Sequence, residues 1–457
     1  MALPPPPSPS LRVGAQLELT VDDLDQEGRG IGRSEGAVVF VDGGLPGESL
    51  RVRLTHRARR HWFAELVAVL EPSPQRRRPP CILADRCGGC TLQALAPEGQ
   101  QHWKQRRVQT ALQRIGGLAA PVRPLLVAPD DLGYRNRAVI PLEWREGRLR
   151  AGYYQRGTHR IVNLNHCPVL DPRIDGLIAP IKADLEASDW PVDRHAGAPG
   201  GGLRHLALRV GCHSGEVLLT LISAHSQLPG LEDLAQGWLE RWPALVGVCL
   251  NLQPDAGNRL MGAHTIVLAG RGELRESFAG LEMLVGADSF FQVHTTQAER
   301  VVPLLREALA GAPGQLLDAY CGIGTFSLPL AAAGWRVIGL EQQGSAVALA
   351  RRNAAANGLA EMAQFEEAAV GAVLAERLPG CDALFVDPPR KGLEAPALAA
   401  MVAGGPARLL YLSCDPATLA RDLAVLVEAG GYQPRWLQPI DFFPNTSHVE
   451  TLAVLER

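Results

Sequence analysis

The stretch RLLYLSCDPATLARDL at 408–423 carries an apolar strand pattern into Cys414, and Asp415 and Pro416 then open a helix. A thiol at such a junction stands at the mouth of a sheet, where a helix N-terminus and nearby cations favour its thiolate, the nucleophilic form. The competing reading is an inert thiol buried at a strand end. That reading is expected for Cys212, Cys249 and Cys381, which lie in or beside apolar runs with no partner motif, and Cys321 is expected to pack within a glycine loop.

A second group of residues suits a nucleoside-like ligand. LLDAYCGIGTFSLPLA at 316–331 reads as a strand, a turn containing Gly322 and Gly324, and a helix. Glycines there let the backbone approach a ligand at a helix N-terminus. WRVIGLE ends in Glu341, 19 residues after Gly322, where a carboxylate suits the hydroxyls of a ribose. The third glycine of the dinucleotide fingerprint is missing, so S-adenosylmethionine, which has no pyrophosphate, fits better than NAD. Asp387 begins DPPRKG at 387–392, read here as the end of the third strand, where two prolines stiffen a loop over the crevice. Arg390 and Lys391 in that loop suit either a phosphate of the substrate or a structural ion pair.

Metal chemistry is suggested by Cys81, Cys87 and Cys90, spaced C-x5-C-x2-C, with Cys167 in NHCPVL at 165–170 as the expected fourth ligand. Nine cysteines, an odd number in a chain without a secretory signal pattern, argue against a disulfide framework. A [4Fe-4S] cluster and a four-cysteine zinc site are the alternatives. Zinc sites usually pair their cysteines as two short knuckles, whereas here the fourth stands alone and is followed by proline, so the cluster is expected ahead of zinc. His166 and His448 flank these residues as expected hydrogen-bonded neighbours rather than ligands.

The elements that must position these groups exceed one core, since the chain has 457 residues. After a tail at 1–11, expected to be disordered, residues 12–70 alternate apolar and polar in four or five short strands, the pattern of a small OB-like barrel. Residues 71–80 read as a proline linker, 97–115 as a polar helix stopped by Gly116 and Gly117, and 197–202 as a flexible glycine-rich excursion. From 286 onward strands alternate with helices, the order of a doubly wound sheet. The net charge is −3, yet residues 51–160 hold 21 Lys and Arg against 8 Asp and Glu. Such asymmetry is the footprint of a phosphate-binding face, with Tyr134 and Arg137 as candidate RNA-backbone contacts. No apolar run approaches the ~18 residues of a membrane span. The protein is expected to be cytoplasmic and monomeric.

Taken in order, the barrel at 12–70, the four cysteines, SFFQV at 289–293, YCGIGTF at 320–326, DPPRKG, SCDPATLARD at 413–422 and FPNTSHVET at 443–451 resemble the TRAM-domain, iron–sulfur RNA (uracil-5-)-methyltransferases. Within that family the resemblance is to the 23S rRNA enzymes. It implies an N-terminal TRAM barrel, an α+β central domain at 71–95 and 121–285 with the cluster, and a Rossmann-like methyltransferase domain at 96–120 and 286–457. Gln292, Tyr320, Glu341 and Asp387 match the family's S-adenosylmethionine contacts, Cys414 its nucleophile, Glu450 its general base, and Cys81, Cys87, Cys90 and Cys167 its cluster ligands. The implied reaction is addition of Cys414 to C6 of a flipped-out uridine, methylation of C5, and proton removal by Glu450. Asp415 and His294 depart from the Asn usual at both positions, and a carboxylate beside the thiol would raise its pKa unless it points away.

Three other functions compete with that one. A methyltransferase acting on exocyclic amines would place an aromatic ring where Arg390 stands and would have no use for the cysteine. The others are a tRNA uridine-C5 methyltransferase and a non-catalytic RNA-binding or assembly protein.

Overall fold

The structure, a computed structural model, describes residues 11–193, 201–255, 257 and 259–457. The tail at 1–10 and positions 197–200 of the glycine-rich stretch lie outside the described residues. The chain forms two compact units. One contains Met1–Trp103, Tyr154–Arg160 and Phe443–Ser447, the other Lys104–Tyr153, Ile161–Phe442 and His448–Arg457.

In the first unit, strands Gln16–Leu24, Gly30–Ser34, Ala37–Val41, His61–Glu71 and Ser49–Arg57 follow one another around a closed barrel. Period-two alternation makes it: Leu50, Val52 and Leu54 are buried while Arg51 and Arg53 between them are exposed. Leu11, assigned to the tail from sequence, packs in this core. Strand Gly30–Ser34 carried little sequence signal because its glycines are steric necessities. A Cβ at Gly32 would lie 2.5 Å from Leu19 Cδ1 and 2.6 Å from Thr20 O.

The stretch read as a linker is anchored instead. Arg76 donates to the buried Glu48 carboxylate at 2.5 and 2.8 Å and to Gly43 O at 2.7 Å. Pairing also accounts for part of the basic surplus: Arg51 meets Glu18 at 2.8 Å and Arg53 meets Glu65 at 2.7 Å. The basic stretch at 51–160 is itself divided between the two units, so it is not read as a single face.

The second unit contains two larger sheets. The six-stranded sheet orders His264–Gly270, Leu245–Leu252, Val217–Ser223, Leu203–Val210, Arg137–Arg145 and Arg148–Ala151. Its strands Leu203–Val210 and Val217–Ser223 are buried along their whole length. The seven-stranded sheet orders Ala363–Glu367, Arg336–Glu341, Gln315–Ala319, Ala383–Val386, Arg408–Ser413, Glu450–Glu456 and Gln433–Ile440. Its first five strands are mutually parallel, and Glu450–Glu456 runs antiparallel to both of its neighbours.

Sequence reading missed the edge strand Ala363–Glu367, whose polar AQFEE alternates only weakly, so Asp387 ends the fourth strand of this sheet rather than the third. Helix Pro97–Ala111 widens into a π-turn at Leu112–Gly116 and stops at Gly117, whose φ of 62° is the left-handed C-cap conformation. Its Val108, Ala111 and Leu112 pack into the core under the seven-stranded sheet with Leu419 and Leu423. No helix among the described residues is long and apolar enough to cross a membrane.

Candidate active site

Strand order reverses between Gln315–Ala319 and its neighbour Ala383–Val386, and the crevice outside the carboxyl ends of such strands is where α/β sheets bind ligands. Tyr320 turns the chain out of the sheet at φ 70°, a strained value for a residue with a Cβ. The N–H groups of Tyr320 and Cys321 both donate to Leu340 O, at 2.9 and 3.0 Å. Gly322 donates to Glu341 Oε2 at 3.1 Å and Gln343 to Oε1 at 2.8 Å, so Glu341 is held by the loops it faces and keeps free lone pairs for hydroxyl donors. A Cβ at Gly322 would meet nothing within 4 Å, which leaves the loop open on that side. The helix that follows, Ser327–Ala331, has only 5 residues, so the dipole contribution expected from sequence is weak.

Two buried polar atoms near the ends of these strands have no hydrogen-bond partner among the described residues: Asp318 Oδ1 and the Tyr320 hydroxyl. Asp318 Oδ2 accepts from Ser327 Oγ at 2.5 Å. Burial, with Asp387 and Glu341 adding, pushes the Asp318 carboxyl up to about 8.

Gln292 is buried in a loop fixed from the six-stranded sheet. Asn136 Nδ2 donates to Gln292 O at 2.8 Å and to Thr295 Oγ1 at 2.9 Å, while Arg209 Nη2 donates to Ser289 O at 2.6 Å. Sequence reading missed both supports. The available signal was Arg209 itself, a charge inside the apolar strand LRHLALRV.

Of the two RNA-contact candidates nearby, Tyr134 fails through burial. Tyr134 is 5% exposed and stacks on His294 with ring centroids 4.7 Å apart, and Arg137 is largely desolvated, which lowers its pKa. Tyr134 is therefore not a surface contact for RNA, while Arg137 is half-buried and donates to Met261 Sδ at 3.4 Å. His294 is buried and pushed down to about 4, so it is neutral and part of the packing.

The catalytic candidates meet on the sheet itself. Ser413 pairs with Thr451 in the antiparallel ladder, so the next position sets Cys414 opposite Glu450. Val386 pairs with Tyr411 one strand over and brings Asp387 to the same end. Burial raises Glu450 to about 7, with Arg390 pulling the other way. Asp387 is raised strongly by burial and by Glu450.

Cys414 is pushed up to about 11, first by burial and then by Glu450 and Asp387, against the pull of Arg390. The thiolate expected from sequence is therefore corrected: burial, reinforced by the two carboxylates, outweighs the one guanidinium, and the resting group is a thiol. Arg390 is exposed and lies 3.4 Å from His448 Nε2. Burial and surrounding cations keep His448 neutral, pushed down to about 4.

Asp415 is not the source of the Cys414 shift. Its Oδ1 accepts from Ala417 N and Thr418 N, each at 2.9 Å, as the N-cap of helix Pro416–Glu428, and Oδ2 lies 4.0 Å from Arg107. Asn caps equally well, so Asp415→Asn should leave stability within a few tenths of a kcal/mol, whereas Asp415→Ala should cost about 1 kcal/mol in urea unfolding. Equal losses in the two variants would show that the cap is not what the carboxylate provides.

Cys81, Cys87 and Cys90 lie in the first unit and Cys167 in the second. Leu83 N–H donates to Cys81 Sγ at 3.4 Å and Gly89 N–H to Cys87 Sγ at 3.5 Å, contacts that suit thiolate ligands. In the second unit Asp175 accepts from Cys167 N at 2.6 Å and also bonds His166, which is a hydrogen-bonded neighbour as expected. Among the described residues no group of three or more His, Cys, Asp or Glu side chains is arranged to hold a metal ion.

FPNTSHVET contributes an anchor that sequence reading did not separate from chemistry. Asn445, at φ 67°, accepts from Arg77 Nη2 at 2.6 Å, and its backbone N–H donates to Gln100 Oε1 at 2.8 Å.

Comparison with known proteins agrees with this layout. Residues 283–457 match the family described as tRNA (Uracil-5-)-methyltransferase, and residues 11–67 match the TRAM domain. An uncharacterized RNA methyltransferase of Parasynechococcus marenigrum is 50% identical over 450 residues, covering 98% of this chain and 96% of the relative. Another from Synechocystis sp. is 45% identical over 452 residues, covering 98% and 97%. Among solved structures, the Pyrococcus abyssi tRNA (uracil-54, C5)-methyltransferase in complex with S-adenosyl-L-homocysteine superposes with a TM-score of 0.77 at 26% identity, covering 96% of this chain and 99% of that one.

Proposed function

The chain belongs to the RNA (uracil-5-)-methyltransferase family, and on that premise we propose that it methylates C5 of a uridine in structured RNA, with 23S rRNA as the target. The observation that carries the reading is the ladder register that sets Cys414 opposite Glu450 at the reactive end of the sheet. C5 of uracil is a weak nucleophile. Cys414 loses its S–H proton to solvent, and addition of the resulting thiolate to C6 moves the ring electrons toward C5 and O4, so that C5 becomes enolate-like. Bound S-adenosylmethionine supplies an electrophilic methyl group on its sulfonium. Glu450, ionised, takes the C5 proton, and the returning electron pair re-forms the C5–C6 double bond and expels the Cys414 thiolate.

The crevice suits that cofactor: the open face at Gly322 supplies space and the held Glu341 carboxylate a polar group. Gln292, Tyr320, Gly322, Gly324, Glu341 and Asp387 are the proposed contacts.

An rRNA target rests on the barrel and the cysteine set, since the resemblance implies that bacterial tRNA enzymes lack both. A tRNA target is the second reading, favoured by the likeness to the Pyrococcus enzyme. RNA carrying tritium at uridine C5 tests the chemistry: tritium release should match methyl incorporation one for one. Methyl incorporation without tritium release would place the group on another atom and overturn the reading.

Cys81, Cys87, Cys90 and Cys167 are the proposed cluster ligands. The donors suit a cluster in kind, through their thiols and amide contacts, and no step of the reaction is routed through one. Anaerobically purified protein should contain about four iron atoms per chain, and Cys87→Ser should remove most of them. Stoichiometric zinc with no iron would instead support the zinc alternative.

A further inference from the structure

The outside of the barrel carries a row of rings that the proposed chemistry leaves unused. Strand pairing aligns Ile31 with Phe40, Phe40 with Phe63, and Phe63 with His56, a single row crossing four strands. A second row on the same face aligns Arg33, Val38 and His61. Their chain neighbours Val39, Val41, Trp62 and Ala64 fill the core, so period-two geometry turns both rows outward.

The rings are organised against one another. His56, which is exposed, stacks on Phe63 at 4.3 Å and 12°, and Phe40 and His61 meet Phe63 at 5.6 and 5.1 Å. Arg29, held by Asp25 at 2.7 Å, lies over Phe40 and Phe63 at 5.4 and 5.0 Å. The hairpin beside His56 and His61 holds Arg59 and Arg60, both exposed and without an ion pair among the described residues, whereas Arg57 pairs opposite the core residue Trp62 and lies over its ring at 5.9 Å. The strand arginines Arg51 and Arg53, by contrast, are already paired.

Aligned rings beside unpaired guanidinium groups match the chemistry of single-stranded nucleic acid, where bases stack and phosphates need cations. A duplex keeps its bases stacked within the helix and offers such rings nothing. We infer that this outer face, centred on His56 and Phe63, is a stacking platform for unpaired bases of the RNA substrate, with Arg59 and Arg60 on the adjoining phosphates. The inference rests on the proposed RNA function and adds a subsite: the barrel reads an unpaired segment and is not merely a basic surface.

Fluorescence anisotropy on the full-length protein tests it, using an unstructured RNA of about ten nucleotides and a short RNA duplex. His56→Ala and Phe63→Leu should each weaken single-strand binding about tenfold and leave duplex binding within about twofold. Arg59→Gln with Arg60→Gln should weaken both ligands and flatten the salt dependence. Thermal melting accompanies each variant, and His56→Ala, an exposed change, carries the test if Phe63→Leu loosens the barrel. Wild-type affinity of a natively melting His56→Ala protein for the single strand would overturn the platform, as would equal losses on duplex and single strand. Wild-type protein that shows the stacking-dependent binding yet methylates no RNA would overturn the proposed reaction and support the platform.

Discussion

Glu450→Gln should arrest the enzyme as a covalent protein–RNA adduct. Cys414 can still add to C6 and C5 can still be methylated, but the C5 proton then has no acceptor and the sulfur cannot leave. An SDS-stable complex should accumulate, its RNA heavier by one methyl group, and steady-state turnover should fall by about 10²–10⁴-fold, the usual contribution of a general base.

The pH dependence of the wild type follows from the same residue. Burial raises Glu450 to about 7, and the base works only when ionised, so activity is lost as pH falls through about 7. Activity should keep rising above that point because the Cys414 thiol, raised to about 11, is still mostly protonated. A profile flat or falling from pH 7 to 9 would contradict both assignments.

Stability should move in the opposite direction. Glu450 ionises near 4.5 when unfolded and near 7 when folded, so its contribution to stability is complete below about 4.5 and is lost as pH rises through about 7. Gln has no such titration. At pH 8 the Glu450→Gln protein should therefore be more stable than wild type by about 3 kcal/mol, with little difference near pH 4. A catalytic carboxylate buried beside Asp387 is a stability cost that the active site carries. A Gln variant that melts lower than wild type at pH 8 would argue that Glu450 is a satisfied structural group.

Cys414→Ala should abolish methyl transfer, with a loss of about 10⁴-fold or more, because covalent activation of the ring has no substitute. No adduct should form, and binding of S-adenosylmethionine by calorimetry should survive. The free thiol should also be slow. Burial and two carboxylates hold it protonated, so alkylation of the Cys414 peptide should rise steeply with pH through neutrality and beyond. Rapid alkylation at pH 6 would indicate a preformed thiolate and contradict the electrostatics described here. Residual methyl transfer by Cys414→Ala near the wild-type rate would remove the covalent mechanism.

Strong local patterns were legible in the sequence. Alternation in QLELTVDDL and ESLRVRLTHR marked barrel strands closely, and the apolar runs ending at Tyr320, Glu341, Asp387 and Cys414 marked four parallel strands. Gly30–Ser34 and Ala363–Glu367 escaped, the first because close packing demanded glycine and the second because an edge strand can remain polar. Site residues defined by backbone position, such as Cys414 and Glu341, could be placed from sequence.

Ionisation could not be read in the same way. The thiol's state depends on Glu450 and Asp387, which arrive from other strands, and Asp415 looked threatening only because its capping role required the helix geometry. Burial of Tyr134 was likewise invisible in a stretch that reads as basic surface, and Asn136 and Arg209 acquire their roles only once the six-stranded sheet folds beneath the Gln292 loop.

Nucleoside mass spectrometry of rRNA and tRNA, purified separately from cells with and without this gene, tests the central claim most directly. The account predicts loss of 5-methyluridine from 23S rRNA and its restoration by the wild-type gene but not by Cys414→Ala. Unchanged 5-methyluridine in both RNA classes would contradict it.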